Sequence, residues 1–190
     1  MGEIPPERLA VTPLETERLL LRPVRASDAA DVFDYTRRPE VSEFLPWEPH
    51  TDEQETLRWL TEDIPAKVES GDLIYAVELK EGSRVIGVFD LHMDAENRKA
   101  QLGYSLSPDF HRQGYGVEAC EALVRHAFTV IGLNRIEAGC DVPNEASWRL
   151  MERLGMKYEG TRKQDRYFKG KYRDSKYYGL LKSDWEAAQA

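Results

Sequence analysis

The apolar and polar positions fall into short blocks whose period changes along the chain. Residues 18–24 (RLLLRPV) predict a first strand, and Ser27-Asp28 cap a helix that runs through Val32 and Phe33 to about Arg37. The stretch PEVSEFLPWEPH carries three prolines and predicts a loop. Thr51-Asp52-Glu53-Gln54 has capping-box form and opens a second helix with Leu57, Leu60 and Ile64 on one side. Residues 73–79 and 84–92 flank Glu81-Gly82-Ser83 as a hairpin, and residues 100–106 add a third strand with Gly103 inside it. A glycine there predicts a bulge or a close backbone approach. Val117, Cys120, Leu123, Phe128 and Ile131 then repeat at helical spacing. A strand at 135–142, a helix at 145–154 closed by Gly155, and a last hairpin of 158–168 and 172–182 follow. The order β-α-α-βββ-α-β-α-ββ defines an α+β fold, a mixed sheet with helices on its faces. Residues 1–16 are proline-rich and expected to be a loose lead-in; residues 17–186 form one domain.

Composition narrows the function classes. With 190 residues, 41% hydrophobic and 32% charged, the chain matches one ordinary globular domain. No apolar run approaches the roughly 18 residues of a membrane span. MGEIPPERLAV lacks the features of a secretory leader, and Pro6 occupies the place where a myristoylation motif needs Ser or Thr. No membrane partner is expected. Cys120 and Cys140 stand alone, which fits a reducing cytoplasm. The four histidines make no ligand spacing, so no metal is expected. A net charge of −8 argues against a nucleic-acid partner and suits a cationic amine. Between Arg162 and Lys176, seven basic residues face only Asp165 and Asp174. That segment reads as a solvated hairpin face or as a rim for an acidic partner.

The stretch SPDFHRQGYGVEACEALVRHAF places Gly114 and Gly116 between a turn and an amphipathic run. A helix start offers unpaired N–H groups and the positive end of a dipole, which together suit an anion. A P-loop is excluded because no Lys-Ser or Lys-Thr follows the second glycine. Gly114, Gly116 and Ala119 satisfy a dinucleotide fingerprint, with Glu137 placed for a ribose. An antiparallel meander precedes the turn, however, and too few residues follow it for a doubly wound domain. The segment Gly103-Tyr104-Ser105-Leu106-Ser107 misses a nucleophile elbow, its last glycine being replaced by serine.

Five segments in order carry a resemblance: TERLLLRPVRASDAADVF, QLGYSLSP, HRQGYGVEA, NEASWRLMERLGMKYEG and YRDSKYYGLLKSDW. The chain resembles the GNAT superfamily of acetyl-CoA-dependent N-acetyltransferases, in the RimJ/RimL-like branch that acetylates ribosomal-protein alanines. The resemblance implies a splayed, mostly antiparallel sheet, and it makes the anion the pyrophosphate of coenzyme A. Gln113, Gly114, Tyr115, Gly116 and Val117 would hold it through N–H groups, with His111 where the family often has Gln or Arg and Arg112 beside it. Backbone groups of Tyr104, Ser105 and Leu106 would pair with the pantetheine arm, one N–H polarising the thioester. Asn144 and Arg153 are assigned to the cofactor as well. Ser147 and Tyr104 are the catalytic assignments, Ser147 protonating the departing thiolate.

The base stays open on the sequence. Some relatives place a carboxylate just before the aromatic matching Tyr167; here Arg166 holds that position and Asp165 is one residue earlier, on the opposite strand face. Glu118 and Glu137 are alternatives, as are water wires to backbone carbonyls. Glu43 and an exposed Trp47, in the segment resembling the acceptor side, would suit a cationic amine, with Trp47 as a hydrophobic plug the competing reading. The expected activity is direct acetyl transfer from acetyl-CoA to a primary amine, such as a peptide or ribosomal-protein N-terminus or a small amine, by a monomer or homodimer. A non-catalytic coenzyme A-binding module is the alternative.

Overall fold

The structure, a computed structural model, describes residues 4–189. An edge strand β1 (Leu14–Glu15) leads into β2 (Leu19–Pro23). One sheet continues through β3 (Leu73–Leu79), β4 (Val85–Asp94), β5 (Lys99–Leu106), β6 (Arg135–Asp141), β7 (Lys157–Phe168) and β8 (Lys171–Leu181). The spatial order is β1-β2-β3-β4-β5-β6-β8-β7. Among the described residues, β5 and β6 pair in parallel and every other neighbouring pair is antiparallel. The mixed, mostly antiparallel α+β fold is therefore as expected.

Both faces of the sheet are covered, which explains why β3 is a continuous apolar run instead of an alternating one. On one face lie α1 (Ala29–Thr36), the short α2 (Pro39–Ser42), and α3 (Glu53–Arg58), which passes through a π-helical turn into α4 (Ile64–Glu69). Val32, Tyr35, Leu60 and Ile64 pack there on Ile74, Ala76 and Val88. The opposite face carries α5 (Tyr115–His126) and α6 (Glu145–Arg153), with Leu123 and Phe128 against Leu21, Tyr75, Phe89 and Ile136. A final helix α7 (Lys182–Gln189) adds Trp185 to that layer.

Several local readings are corrected. The lead-in is tied down where described: Pro6–Leu9 form a 3-10 turn, Ile4 is buried, and Leu14 pairs with Leu21. Within the expected loop, Pro39 starts α2, its fixed φ suiting a first helical position. The second capping box is shifted by one residue. Asp52, not Thr51, caps α3, accepting from Glu55 N–H at 2.8 Å while the Glu55 carboxylate accepts from Thr51 N–H at 2.7 Å. Gly103 makes no bulge, since β4–β5 register is unbroken from Gly87↔Leu106 to Asp94↔Lys99. It serves a close approach instead: a Cβ there would overlap the Asp90 carboxylate.

One buried charge cluster fixes the α1 layer to the sheet. The Arg22 guanidinium donates to both Asp28 oxygens at 2.8 and 2.9 Å and to Glu78 at 2.6 Å. The side chains of Arg22 and Asp28 are 5% and 4% exposed, so each charge depends on the other for compensation.

Candidate active site

The site begins where the sheet opens. β5 and β6 pair from Lys99↔Arg135 to Gln101↔Glu137 and no further, although both strands continue, to Leu106 and Asp141. Residues 102–106 and 138–141 thus face each other across a gap without main-chain pairing. On the β4 side, β5 stays fully registered, and Ser107 N–H donates to Ile86 O at 2.8 Å beyond its end. Gly87 permits this, because a Cβ there would stand 2.5 Å from Ser105 O.

At the open end, Gly114 caps α5 with φ of 86°, a left-handed conformation that disfavours any side chain. The first helical bond runs from Glu118 N–H to Gly114 O at 3.0 Å. The N–H groups before it are free of helical partners and lie at the dipole's positive end, a cradle that suits an anion. Gly116 is buried, and a Cβ on it would come within 3.1 Å of Leu150 Cδ1, so its absence lets α6 close on α5.

Arg18 braces the turn. It donates to Gln113 O at 3.0 Å, pairs with Glu118 at 2.6 Å and stacks 4.2 Å from the Tyr115 ring centroid. His111 and Arg112 are exposed; the His111 ring bonds Leu106 O at 3.1 Å, and Arg112 has φ of 59°. Val117 and the exposed Arg153 line one open groove with Gly114, Glu121 and Arg125, so Arg153 stands beside the cradle.

Across the gap, Asn144 caps α6, its Oδ1 accepting from Ser147 N–H at 3.2 Å. The Tyr104 hydroxyl lies 2.8 Å from Ser147 Oγ and 3.2 Å from Ser147 O, so the two residues assigned to catalysis form one hydroxyl pair. Burial pushes the Tyr104 phenol far above its ordinary range, with nearby Cys120 adding to the effect, so it stays a neutral donor. Burial raises Cys140 and Cys120 as well, which leaves neither thiol activated as a nucleophile.

The base candidates are committed elsewhere. Burial would raise the Glu118 carboxyl, but bonds from Thr16 and Arg18 outweigh it and hold the group below the ordinary range. Glu137 is clamped by Lys99 and Arg135, each at 3.2 Å. The Tyr177 hydroxyl donates to Asp165 at 2.6 Å and holds that carboxyl low. Trp47 falls between the exposed ring and the hydrophobic plug of its two readings. It is half-buried, with ring centroids 5.7 Å from His50, itself 5.9 Å from Trp59. Burial lowers the His50 pKa, so this aromatic row carries no fixed cation. Glu43 is exposed, and its main-chain oxygen lies 3.5 Å from Arg173 Nη2.

Three participants escaped the sequence reading: Gly87, the Arg18 brace, and a charge cluster of Asp141, Arg166 and Arg173. Gly87 could have been flagged as a glycine inside an apolar strand. The other two join residues with no sequence spacing to connect them.

Residues 18–157 match the family model described as Acetyltransferase (GNAT) domain, and the chain belongs to that family of acyltransferases. It is 31% identical over 173 residues to the uncharacterized N-acetyltransferase p20 of Bacillus licheniformis, covering 90% of this chain and 97% of that protein. It is 29% identical over 183 residues to the [ribosomal protein uS5]-alanine N-acetyltransferase of Escherichia coli, covering 90% and 92%. A GNAT-family acetyltransferase structure from Bacillus anthracis superposes with a TM-score of 0.82 at 27% identity, covering 90% of this chain and 99% of that one.

Proposed function

We propose that this chain transfers the acetyl group of acetyl-CoA to a primary amine by direct attack with both substrates bound. The observation that carries the reading is the unpaired β5–β6 gap, bordered by the glycine-started helix at one end and the Tyr104–Ser147 pair at the other. Acetyl-CoA supplies an activated acyl group on a leaving thiolate. The N–H groups around Gly114 and Gly116 hold its pyrophosphate, and unpaired main-chain groups along residues 102–106 take its extended arm as a strand edge would. A main-chain N–H of β5 stabilises the charge that develops on the thioester oxygen.

The amine nitrogen bonds to the carbonyl carbon, the carbon–sulfur bond breaks, and the sulfur takes a proton. Ser147 Oγ is the donor; the proton shed by the amine nitrogen returns through water to the Tyr104–Ser147 hydroxyl pair, 2.8 Å apart, so that both hydroxyls end neutral. No carboxylate is assigned as base, since Glu118, Glu137 and Asp165 are all engaged. An α-amine, with pKa of about 7.7–8.0, fits such a site better than a lysine near about 10.4. The similarity to a ribosomal-protein alanine acetyltransferase supports a peptide N-terminus, and the buried unpaired cysteines support a cytoplasmic setting.

Ser147→Ala tests the assignment. Turnover is expected to fall by about 100-fold with acetyl-CoA affinity unchanged by calorimetry. Full turnover would remove Ser147 from the mechanism, and absence of acetyl-CoA binding by the unaltered protein would overturn the whole reading.

A further inference from the structure

Asp141 ends β6 on the face opposite to Ala138 and Cys140, which pack into the core under α5. On β3 and β4 the same face of the sheet carries α1, α3 and α4. The Asp141 side chain has no solvent exposure, and two guanidiniums hold it: Arg166 Nη2 at 3.1 Å and Arg173 Nη1 at 2.8 Å. One carboxylate against two fixed cations leaves a positive charge uncompensated. Among the neighbouring acids, Asp165 acts on Arg166 only through space, with no hydrogen bond between them among the described residues, and Asp174 accepts from Gln164 N–H at 2.8 Å. Asp165 is engaged by Tyr177 and by Arg162 at 3.9 Å, and Glu48 faces Lys169 at 3.7 Å.

A second, independent observation concerns Arg173. Its side chain is 10% exposed and its guanidinium lies 4.5 Å over the Phe168 ring, yet its Nε is buried without a hydrogen-bond partner among the described residues. A buried N–H donor left unmatched is destabilising, and an anion held at the accessible edge of the cluster offsets that cost through the charge the guanidinium shares. Arg166 Nε reaches only Ser175 Oγ at 3.3 Å, so donors of that side chain also remain for a ligand. The cluster joins two parts of the site. Asp141 O accepts from Asn144 N–H at 2.9 Å, on the residue that positions Ser147, while Arg173 Nη2 points to the main chain of Glu43 on the acceptor loop.

We propose that Arg166 and Arg173, oriented by Asp141, form an anion subsite on the acceptor side of the gap. The amine that this enzyme acetylates then carries a carboxylate close to its nitrogen, as in a peptide with an acidic residue near its N-terminus. The inference rests on the amine-acetylation reading above. It also reverses what the net charge alone suggests, because the overall acidity of the chain is not shared by the wall the acceptor meets.

The test uses the full chain with acetyl-CoA and three acceptors: Ala-Glu-Ala amide, Ala-Gln-Ala amide and Ala-Lys-Ala amide. The KM for the Glu peptide is expected at least about tenfold below the other two. Arg166→Gln, which leaves Asp141 paired with Arg173, erases the preference, and Arg166→Lys restores part of it. Lys157→Gln, which removes one exposed positive charge paired with Asp184, keeps it. Equal KM values in the unaltered protein, or a preference that survives Arg166→Gln, overturn the subsite.

Binding of the acetylated Glu peptide to the coenzyme A complex, by calorimetry, separates the two readings. Arg166-dependent binding without transfer to any peptide upholds the subsite and overturns amine acetylation. Binding that ignores the acidic residue overturns the subsite whatever the transfer. Alanyl-alanine with a free C-terminus, if it binds more tightly than the Glu amide, assigns the anion to a main-chain carboxylate and so to a small amino-acid-like acceptor.

Discussion

The two sides of the gap are built by different means. On the donor side, small residues and main-chain groups do the positioning: Gly114 and Gly116 let backbone and helix approach, and Asn144 sets Ser147 three residues on. On the side we assign to the acceptor, long charged side chains reach across the fold. Lys169 Nζ bonds Ser42 O at 2.7 Å and Oγ at 3.1 Å across 127 positions of sequence, and Arg166 and Arg173 converge on Asp141. A backbone cradle tolerates almost any neighbouring side chain, whereas a charge cluster changes character with one substitution. A scaffold divided in this way keeps its donor while altering its acceptor.

The contrast can be broken by substitution. Asp141→Asn leaves two guanidiniums facing no carboxylate. It is expected to destabilise the fold by about 3 kcal/mol or more, read from the denaturant midpoint, with little change in acetyl-CoA affinity. An unchanged midpoint would mean that the acceptor side is not charge-held. Gly87→Ala drives a methyl against Ser105 O and shifts β5, at a cost of about 1–3 kcal/mol. Here acetyl-CoA affinity should fall together with stability, and a loss of stability alone would separate Gly87 from the site.

Lys169→Met is milder. It removes the tie between the β7–β8 hairpin and α2, at about 1 kcal/mol. The KM for the amine should rise while that for acetyl-CoA stays fixed, and a change in both would contradict the division.

The smallest effect concerns His92. Asp90 first, then Asp72, push its pKa up to about 9. The ordinary value is near about 6.5, so protonation favours the folded state. That contribution is complete below about pH 6.5 and is lost as pH rises through about 9. The stability advantage of the unaltered protein over His92→Gln should therefore shrink between those limits. An advantage that grew with pH would reverse the sign.

What the sequence revealed follows the same division. Gly114, Gly116 and Asn144 were legible because a helix start and a cap are written in neighbouring residues, whereas the role assigned to Ser147 rests on the family resemblance. The hairpin and the long strands were legible from periodicity. Gly103 was read half correctly, since a close approach occurs but comes from a carboxylate on the adjacent strand and not from a bulge. Trp47 stays open between exposed ring and hydrophobic plug on the sequence, because its half-burial beside His50 and near Trp59 is a matter of loop packing. The Asp141 cluster, the Arg18 brace and the Ser42–Lys169 tie were invisible, because long-range pairs leave no periodic trace. Arg166 shows this best. Its position suggested a missing carboxylate, whereas the structure makes it a ligand of one.

The unpaired stretch between β5 and β6 also means that the sheet is one strand short. A substrate arm carrying amide groups along an extended chain would complete the hydrogen-bond ladder and temporarily become part of the fold. Hydrogen exchange along residues 102–106 and 138–141 would then slow as donor is added, so these amides act as a built-in gauge of how much of the protein is loaded.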